Sequence, residues 1–180
     1  MSNYDADAVK SAFDDWRVNE IIIKPQVSAN ADDTFRLNRD QLAAQQNELQ
    51  ACFKERAHML QPFLPAIVAE GEYSLFYFNG SLSHTIIKRP KEDDFRVQEE
   101  HGGQLQLIEV TDELLQYGNA VIASLEDTLL YARVDLVRHE DQMVLMELEA
   151  IEPSLYFNMD DAAADRFANA FVEHMNTEEN

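Results

Sequence analysis

The chain has 180 residues, of which 46% are hydrophobic and 27% charged, with a formal net charge of −20. This composition predicts a globular chain of one domain or two small lobes, and the excess of acid argues against binding nucleic acid or anionic membranes. No apolar run reaches the roughly 18 residues of a membrane helix. The N-terminus has no signal-peptide pattern, and a lone cysteine, Cys52, excludes an internal disulfide, so we expect a cytoplasmic protein.

Helices and short strands alternate in the first third of the chain. The apolar spacing predicts a helix over 4–16, a buried strand over 20–24, a helix over about 38–56 and a strand over 59–64. Pro25 is expected to stop the first strand, and residues 26–36 read as a polar loop. Asn38, with Gln41 three residues later, has the pattern of an N-terminal capping box.

The remainder of the chain is richer in strands. The pattern predicts strands over 72–78, 81–88, 131–137 and 145–149, and helices over 111–127 and 160–175. Asn79-Gly80 is a strong hairpin turn. Residues 89–103 are charged and end in two glycines, which is typical of a loop. In the last helix, the spacing places four side chains inward: Ala164, Phe167, Ala168 and Phe171. Strands, helices and hairpins together indicate an α+β architecture.

The segment 131–149 carries the most informative pattern. Alternation places Ala132, Val134, Leu136, Val144, Met146 and Leu148 on one face of a hairpin whose turn lies within 139–142. The opposite face then holds Arg133, Asp135, Glu147 and Glu149. Cross-strand neighbours lie about 5 Å apart, so three carboxylates this close repel one another unless a cation lies between them. A divalent metal is one such cation, and a solvated ladder of salt bridges is the alternative.

Four basic residues are candidates for binding an anionic ligand. Lys24 and Lys88 each end an apolar strand, where the plain structural explanation is a lysine that reaches into solvent. Arg96 lies in the charged loop, and arginines in loops are usually solvated. Arg133 differs because it lies between apolar neighbours on the carboxylate face. The order of these residues along the chain distinguishes a site from isolated surface charges.

The ordered motifs are Ile-Ile-Ile-Lys24-Pro, Gln61-Pro-Phe-Leu, Glu70-Gly-Glu-Tyr-Ser, a hairpin ending in Lys88, Arg133-Val-Asp, and Glu147-Leu-Glu followed by Glu-Pro-Ser. In this order they resemble the ATP-grasp superfamily of carboxylate–amine ligases, of the glutathione synthetase or ribosomal-protein glutamate ligase type. The resemblance extends from about Trp16 to Phe171. It implies an ATP-grasp fold with two α+β lobes and mainly antiparallel sheets. The smaller lid lobe would span 1–70 with an adenine hinge near 61–64, and the core lobe 71–180 with its metal-binding hairpin at 129–151.

The resemblance also implies roles for individual residues. Lys24 matches the lid lysine that contacts ATP phosphate, and Lys88 the basic residue that reaches the phosphates from the core lobe. Glu72 matches the acid that binds the ribose hydroxyls, with Glu70 as the alternative. The other assignments are Gln61, Phe63 and Leu64 at the adenine edge, Asp135, Glu147 and Glu149 as metal ligands, and Arg133 with Lys88 and Arg96 as catalytic cations. The implied cofactors are ATP and Mg²⁺, with Mn²⁺ as an alternative metal.

The implied reaction is amide formation from a carboxylate and an amine through an acyl phosphate. Two departures from the family pattern stand out: Glu149 replaces the usual asparagine, and the loop after Lys24 lacks glycines. The few residues before Lys24 leave no room for the usual N-terminal substrate domain. The alternatives are therefore a fragment, one subunit of a split ligase, or a non-catalytic nucleotide-binding or interaction module. The expected partners are ATP, unidentified carboxylate and amine substrates, and a second copy or a separate chain that supplies the missing domain.

Overall fold

The structure is a computed structural model that describes residues 3–178, and these residues divide after Leu64 into two compact units. Each unit contains one antiparallel sheet with helices, which confirms the expected α+β class. The identification of the two units as lid and core lobes remains a prediction. Among residues 3–178, no helix combines the length and the apolar character needed to cross a membrane.

The N-terminal unit is a three-stranded sheet in the order β2-β1-β3, with helices packed on one face. Its elements are α1 (Ala6–Asp15), β1 (Ile21–Pro25), β2 (Phe35–Leu37), α2 (Arg39–Ala44), α3 (Gln46–Phe53) and β3 (His58–Pro62). Ile21 and Ile23 of β1 are fully buried in the core, which includes Phe13 and Phe53 from the helices. Since strand side chains alternate, Lys24 lies on the opposite face.

Pro25 is the last residue of β1, so the strand ends there as predicted, although Pro25 itself still pairs with His58 of β3. Two other details of this unit differ from the sequence prediction. The polar segment 26–36 runs into β2, a strand that the sequence did not predict. The helix expected over 38–56 is divided at Gln45 into α2 and α3. The capping box of Asn38 is confirmed.

The C-terminal unit is a five-stranded antiparallel sheet in the order β6-β5-β4-β7-β8. Its elements are α4 (Ala66–Ala69), β4 (Glu72–Phe78), β5 (Ser81–Arg89), β6 (Gln104–Ile108), α5 (Asp112–Ala123), β7 (Tyr131–His139), β8 (Gln142–Glu149) and α6 (Ala163–Glu178). Both predicted hairpins are confirmed. The edge strand β6 and the short helix α4 were not predicted. Leu75, Val134 and Leu136 form a core on one face of the sheet with Leu114 of α5.

A bulge interrupts the pairing of β7 with β8. Asp135 pairs with Glu147, but the next pair is Leu136 with Leu145, so Met146 is an extra residue in β8. The strict alternation predicted for Val144, Met146 and Leu148 is therefore wrong, since Val144 pairs with Val137 on the carboxylate face. Glu147 and Glu149 keep the predicted face because they lie beyond the bulge.

The inward face predicted for α6 is only partly right. Phe167 packs edge-on against Phe78, with ring centroids 5.2 Å apart, and Ala163 and Ala170 are buried beside it. Phe171 is 47% exposed, and Ala164 and Ala168 are also exposed, so these three assignments are wrong. The face of α6 that packs on the sheet is determined by the aromatic partners of Phe167 and by the hydrogen bond from Asn79 to the Ala170 carbonyl. Neither partner is visible in the helix's own sequence.

Gly118, in the middle of α5, allows the helix to approach the sheet closely. A Cβ at this position would lie 2.3 Å from the Tyr77 hydroxyl oxygen and 2.7 Å from Leu75 Cδ2. We therefore expect Gly118→Ala to lower the free energy of unfolding by about 1–3 kcal/mol, although alanine favours helix. Urea unfolding measures the change. Tyr77→Phe removes the nearest atom, so Gly118→Ala should cost less in that background, and an equal cost in both would contradict the close approach.

Candidate active site

The face of the C-terminal sheet opposite α5 carries a concentrated set of charges. Pairing of β4 with β5 sets Glu72 directly opposite Lys88, and pairing of β4 with β7 sets Ser74 opposite Asp135. Directly opposite residues project to the same side of a sheet, so these side chains share one face. We call this surface the site face. Glu147 and Glu149 of β8 extend it across the sheet.

Lys88 is the centre of a buried ion-pair group. Its Nζ lies 3.0 Å from Glu72 Oε1 and 3.5 Å from Asp135 Oδ2. The three side chains are only 6%, 11% and 1% exposed, respectively. Ser74 Oγ donates a hydrogen bond of 2.5 Å to Asp135 Oδ1. Burial on this scale distinguishes these three side chains from a solvated ladder of salt bridges, because exposed pairs are screened by water. The burial does not extend to β8, where the Glu147 side chain is 61% exposed.

Arg133 connects the buried group to the carboxylates of β8. Its Nε lies 3.0 Å from Asp135 Oδ2 and its Nη2 lies 2.9 Å from the same oxygen. The guanidinium also pairs with Glu149, directly opposite on β8, and lies 3.8 Å from Glu147. One arginine therefore contacts all three predicted metal-binding carboxylates.

Burial and charge change the acidities of these groups in opposite directions. Burial raises the pKa of Glu72 despite the nearby Lys88 ammonium. For Asp135, burial also disfavours the charged form, but Lys88 and Arg133 outweigh it and lower the pKa. Although burial opposes charge on Lys88, Glu72 and Asp135 raise its pKa. Asp135 and Lys88 are thus both charged at neutral pH, which suits them to bind opposite charges.

The carboxylates of Asp135, Glu147 and Glu149 have the chemistry that Mg²⁺ prefers, since it is a hard cation that binds oxygen. Within residues 3–178, however, no three acidic, histidine or cysteine side chains are grouped as cation ligands. Arg133 explains this arrangement because its guanidinium lies among the carboxylates and neutralises them. The three carboxylates fit Mg²⁺ in chemical type. Metal binding would require the Arg133 guanidinium to move away from them.

Two predicted residues lie apart from this group. Glu70, the alternative to Glu72, accepts hydrogen bonds from the Tyr73 hydroxyl and from Arg138. Tyr73 and Arg138 project toward α5, so of the two acids only Glu72 shares a face with Lys88. Arg96 donates from its Nε and Nη2 to the two oxygens of Asp94, and holds the pKa of that carboxyl well below its usual range. Its charge is engaged within its own loop.

The remaining predicted residues lie in the N-terminal unit. Lys24 and Gln61 lie on the sheet face opposite the one on which the helices pack, because Gln61 pairs with Ile22 on that face. The backbone N–H of Phe63 donates to the Glu20 carbonyl at 3.1 Å, so that N–H is already paired. Leu64 is half-buried at the end of the unit.

Sequence reasoning missed two polar residues on these faces. Ser74 follows Glu72 by two positions, so alternation alone could have placed it beside Asp135. Arg36 could not have been found, because β2 was not predicted. Its guanidinium forms two 2.9 Å hydrogen bonds with Glu20 and lies 3.7 Å from the centroid of the Phe63 ring, in a cation–π contact.

Comparison with known proteins agrees with this fold. Residues 5–161 match the family model of the prokaryotic glutathione synthetase ATP-grasp domain. The chain is similar to the cycloserine biosynthesis protein DcsG of Streptomyces lavendulae, with 27% identity over 165 residues, which are 87% of this chain and 55% of that protein. The crystal structure of D-cycloserine synthetase DcsG superimposes with a TM-score of 0.79 at 25% identity, covering 94% of this chain and 60% of the other.

More distant structures share the fold. D-alanine–D-alanine ligase from Bacillus anthracis has a TM-score of 0.67 at 16% identity, covering all of this chain and 61% of the ligase. The ATP-grasp ligase PsnB, solved with a precursor variant, Mg and ADP, has a TM-score of 0.61 at 18% identity and covers 93% and 50% of the two chains. The chain thus spans between one half and two thirds of the length of these relatives. Because the family match covers most of its residues, the chain belongs to the ATP-grasp family, in the group of the prokaryotic glutathione synthetase ATP-grasp domain.

Proposed function

We propose that the chain is the Mg-ATP-binding catalytic portion of an ATP-dependent carboxylate–amine ligase. The observation that carries this proposal is the buried Glu72–Lys88–Asp135 group with Arg133 beside it. Two fixed cations and several carboxylates on one sheet face suit a ligand that combines phosphates with divalent metal. Family membership supports the same reading, and DcsG is named as a D-cycloserine synthetase.

We assign the residues as follows. Lys24 and Lys88 would bind ATP phosphates, and Glu72 would accept hydrogen bonds from the ribose hydroxyls. Gln61, Phe63 and Leu64 would contact adenine. Asp135, Glu147 and Glu149 would hold Mg²⁺ or Mn²⁺.

The reaction would join a carboxylate to an amine in two steps. An oxygen of the substrate carboxylate attacks the γ-phosphorus of ATP and ADP leaves, which gives an acyl phosphate. The amine then attacks the acyl carbon and phosphate leaves, which gives the amide. Arg133 and Lys88 would stabilise the transferring phosphoryl group, with Arg96 contributing if its loop brings it to the substrate. When bound, Mg²⁺ would supply further neutralisation of phosphate charge.

Calorimetry with ATP tests the binding half of this proposal. We expect ATP to bind in excess Mg²⁺ and to lose affinity strongly in EDTA, because the site-face carboxylates need the metal to accept phosphate. No heat of binding in excess Mg²⁺ would contradict the proposal. Hydroxylamine traps acyl phosphates as hydroxamates, so ADP release that depends on a carboxylate, with hydroxamate formation, tests the catalytic half. Mg-ATP binding with no turnover across carboxylate and amine panels would favour a non-catalytic module, or a subunit that needs a partner chain.

A further inference from the structure

The segment 150–159, between β8 and α6, lies along the site face and is held there by polar contacts. The Tyr131 hydroxyl donates 2.6 Å to the Ile151 carbonyl. His84 Nε2 lies 3.1 Å from the Leu155 carbonyl oxygen. His84 is directly opposite Phe76 in the β4–β5 pairing, and their rings stack at 4.3 Å with an interplanar angle of 8°. A strand residue of the site face therefore fixes the middle of this segment.

Hydrogen bonding establishes which nitrogen of His84 carries the proton. The Leu155 carbonyl only accepts, so Nε2 must donate to it. Burial lowers the pKa of His84, and the Arg166 charge adds to this effect, whereas the Leu155 carbonyl and Asp160 oppose it. The ring is therefore neutral, and its Nδ1 is an acceptor. Ser83 Oγ supplies that hydrogen at 3.0 Å, since its oxygen already accepts from Arg166 Nε at 2.8 Å. Arg166, Ser83, His84 and the Leu155 carbonyl thus form one directed chain from α6 to the segment.

Tyr156, the next residue, is in an unusual conformation. Its φ of 47° and ψ of 44° lie in the left-handed region, which bulky side chains rarely adopt. Such strain persists only where the surroundings impose it, and it concentrates at functional positions. The His84 contact to the preceding carbonyl is one such constraint. In this backbone conformation, the Tyr156 ring lies edge-on to Phe76, with the two ring centroids 6.1 Å apart.

Phe76 relates Tyr156 to the charged group. On β4, Phe76 lies directly opposite Arg133 of β7, so the ring against which Tyr156 packs shares the site face with the arginine. The pKa of the Tyr156 hydroxyl is raised, mainly by burial and also by Glu99 and Glu100, although the positive charges of Lys88 and Arg133 act to lower it. The hydroxyl is therefore neutral at pH 7 and can donate a hydrogen bond to an anion near the two cations.

We propose that Tyr156 is a further phosphate-contacting residue of this site, and that His84 is the positioning residue that holds it in place through the Leu155 carbonyl. The inference rests on the proposed Mg-ATP function and extends it. The Tyr156 hydroxyl donates to the terminal phosphate beside Arg133 and Lys88. A buried histidine that only filled space would need neither the directed chain from Arg166 nor the strained neighbour.

Fluorine NMR on protein labelled with 3-fluorotyrosine tests both roles. The Tyr156 resonance is assigned by its loss in Tyr156→Phe. We expect Mg-ATP to shift this resonance in the wild type and AMP, which lacks the terminal phosphate, to leave it unchanged. His84→Leu should shift the resting resonance and abolish the response, whereas His84→Gln, whose amide nitrogen can replace Nε2 as the donor, should keep both.

Calorimetry completes the test and still tests the phosphate contact if the His84→Leu variant fails to fold. Tyr156→Phe should weaken Mg-ATP by about three- to tenfold, the range for one hydrogen bond, and leave AMP binding unchanged. Equal affinities for wild type and Tyr156→Phe, or a Tyr156 resonance unmoved by bound Mg-ATP, would overturn the phosphate contact. Equal behaviour of His84→Leu and His84→Gln would overturn the positioning role. If wild type binds no Mg-ATP, the proposed function fails, and the resting spectra of the two His84 variants still decide the positioning role.

Discussion

Asp135→Asn should weaken Mg-dependent ATP binding by about 100-fold or more, equivalent to roughly 3 kcal/mol. Asp135 is the carboxylate on which the site converges, since it contacts Lys88, Arg133 and Ser74. Asparagine keeps the shape and can still accept the Ser74 hydrogen bond, but it loses the charge that attracts a divalent cation. Calorimetry with ATP in excess Mg²⁺ measures the effect. Glu147→Gln, which changes the residue directly opposite on β8, should act in the same direction.

Glu113→Gln is a matched control for this experiment. Glu113 pairs with Arg138 of β7 at 3.0 Å, so it too is a carboxylate bound to an arginine of that strand. Its partner projects toward α5 and away from the site face. We expect Glu113→Gln to leave Mg-ATP affinity unchanged. Similar losses in Asp135→Asn and Glu113→Gln would mean that net charge, rather than the site face, controls binding.

Lys88→Met should lower the free energy of unfolding by about 3–5 kcal/mol, because it leaves Glu72 and Asp135 buried without their shared ammonium. Methionine fills nearly the same volume, so lost packing contributes little. The penalty should shrink between about pH 8 and pH 5. Burial already raises the pKa of Glu72, and removing Lys88 raises it further, so at lower pH the carboxyl is neutral and needs no counter-ion. Urea unfolding at the two pH values measures this change.

Two variants isolate the electrostatic cause. Glu72→Gln combined with Lys88→Met removes one of the stranded carboxylates and should recover part of the lost stability. Lys10→Met changes a lysine whose side chain is 57% exposed, and should alter stability by no more than about 0.5 kcal/mol. A Lys88→Met penalty that is independent of pH and unaffected by Glu72→Gln would point to packing instead.

The local patterns of the chain predicted the scaffold of the site well. Alternation over 131–149 is strong because one side of each strand must be apolar against α5, and that requirement alone placed Arg133, Asp135, Glu147 and Glu149 together. The Asn79-Gly80 turn and the Asn38 cap are short-range signals that need no tertiary partner. The turn and the cap are confirmed by the structure, and the alternation is confirmed for Arg133, Asp135, Glu147 and Glu149 but interrupted at Met146.

The missed features depend on contacts distant in sequence. β6 is a largely exposed edge strand with a weak apolar pattern, and β2 has only three residues, so both are defined by the strands they pair with. The stripe of α6 is set by its aromatic neighbours on the sheet. The residue before Tyr156 contacts a histidine of β5, and no property of the segment itself could reveal that contact.

The extra residue in β8 divides the strand into two parts with different surroundings. On the turn side of Met146, side chains pair with Leu136, Val137 and Arg138; beyond it, Glu147 and Glu149 face Asp135 and Arg133. We expect a one-residue change in the length of the hairpin tip to be absorbed at Met146, which would leave the pairing of Asp135 with Glu147 intact. A length change within 147–149 would displace the carboxylates themselves.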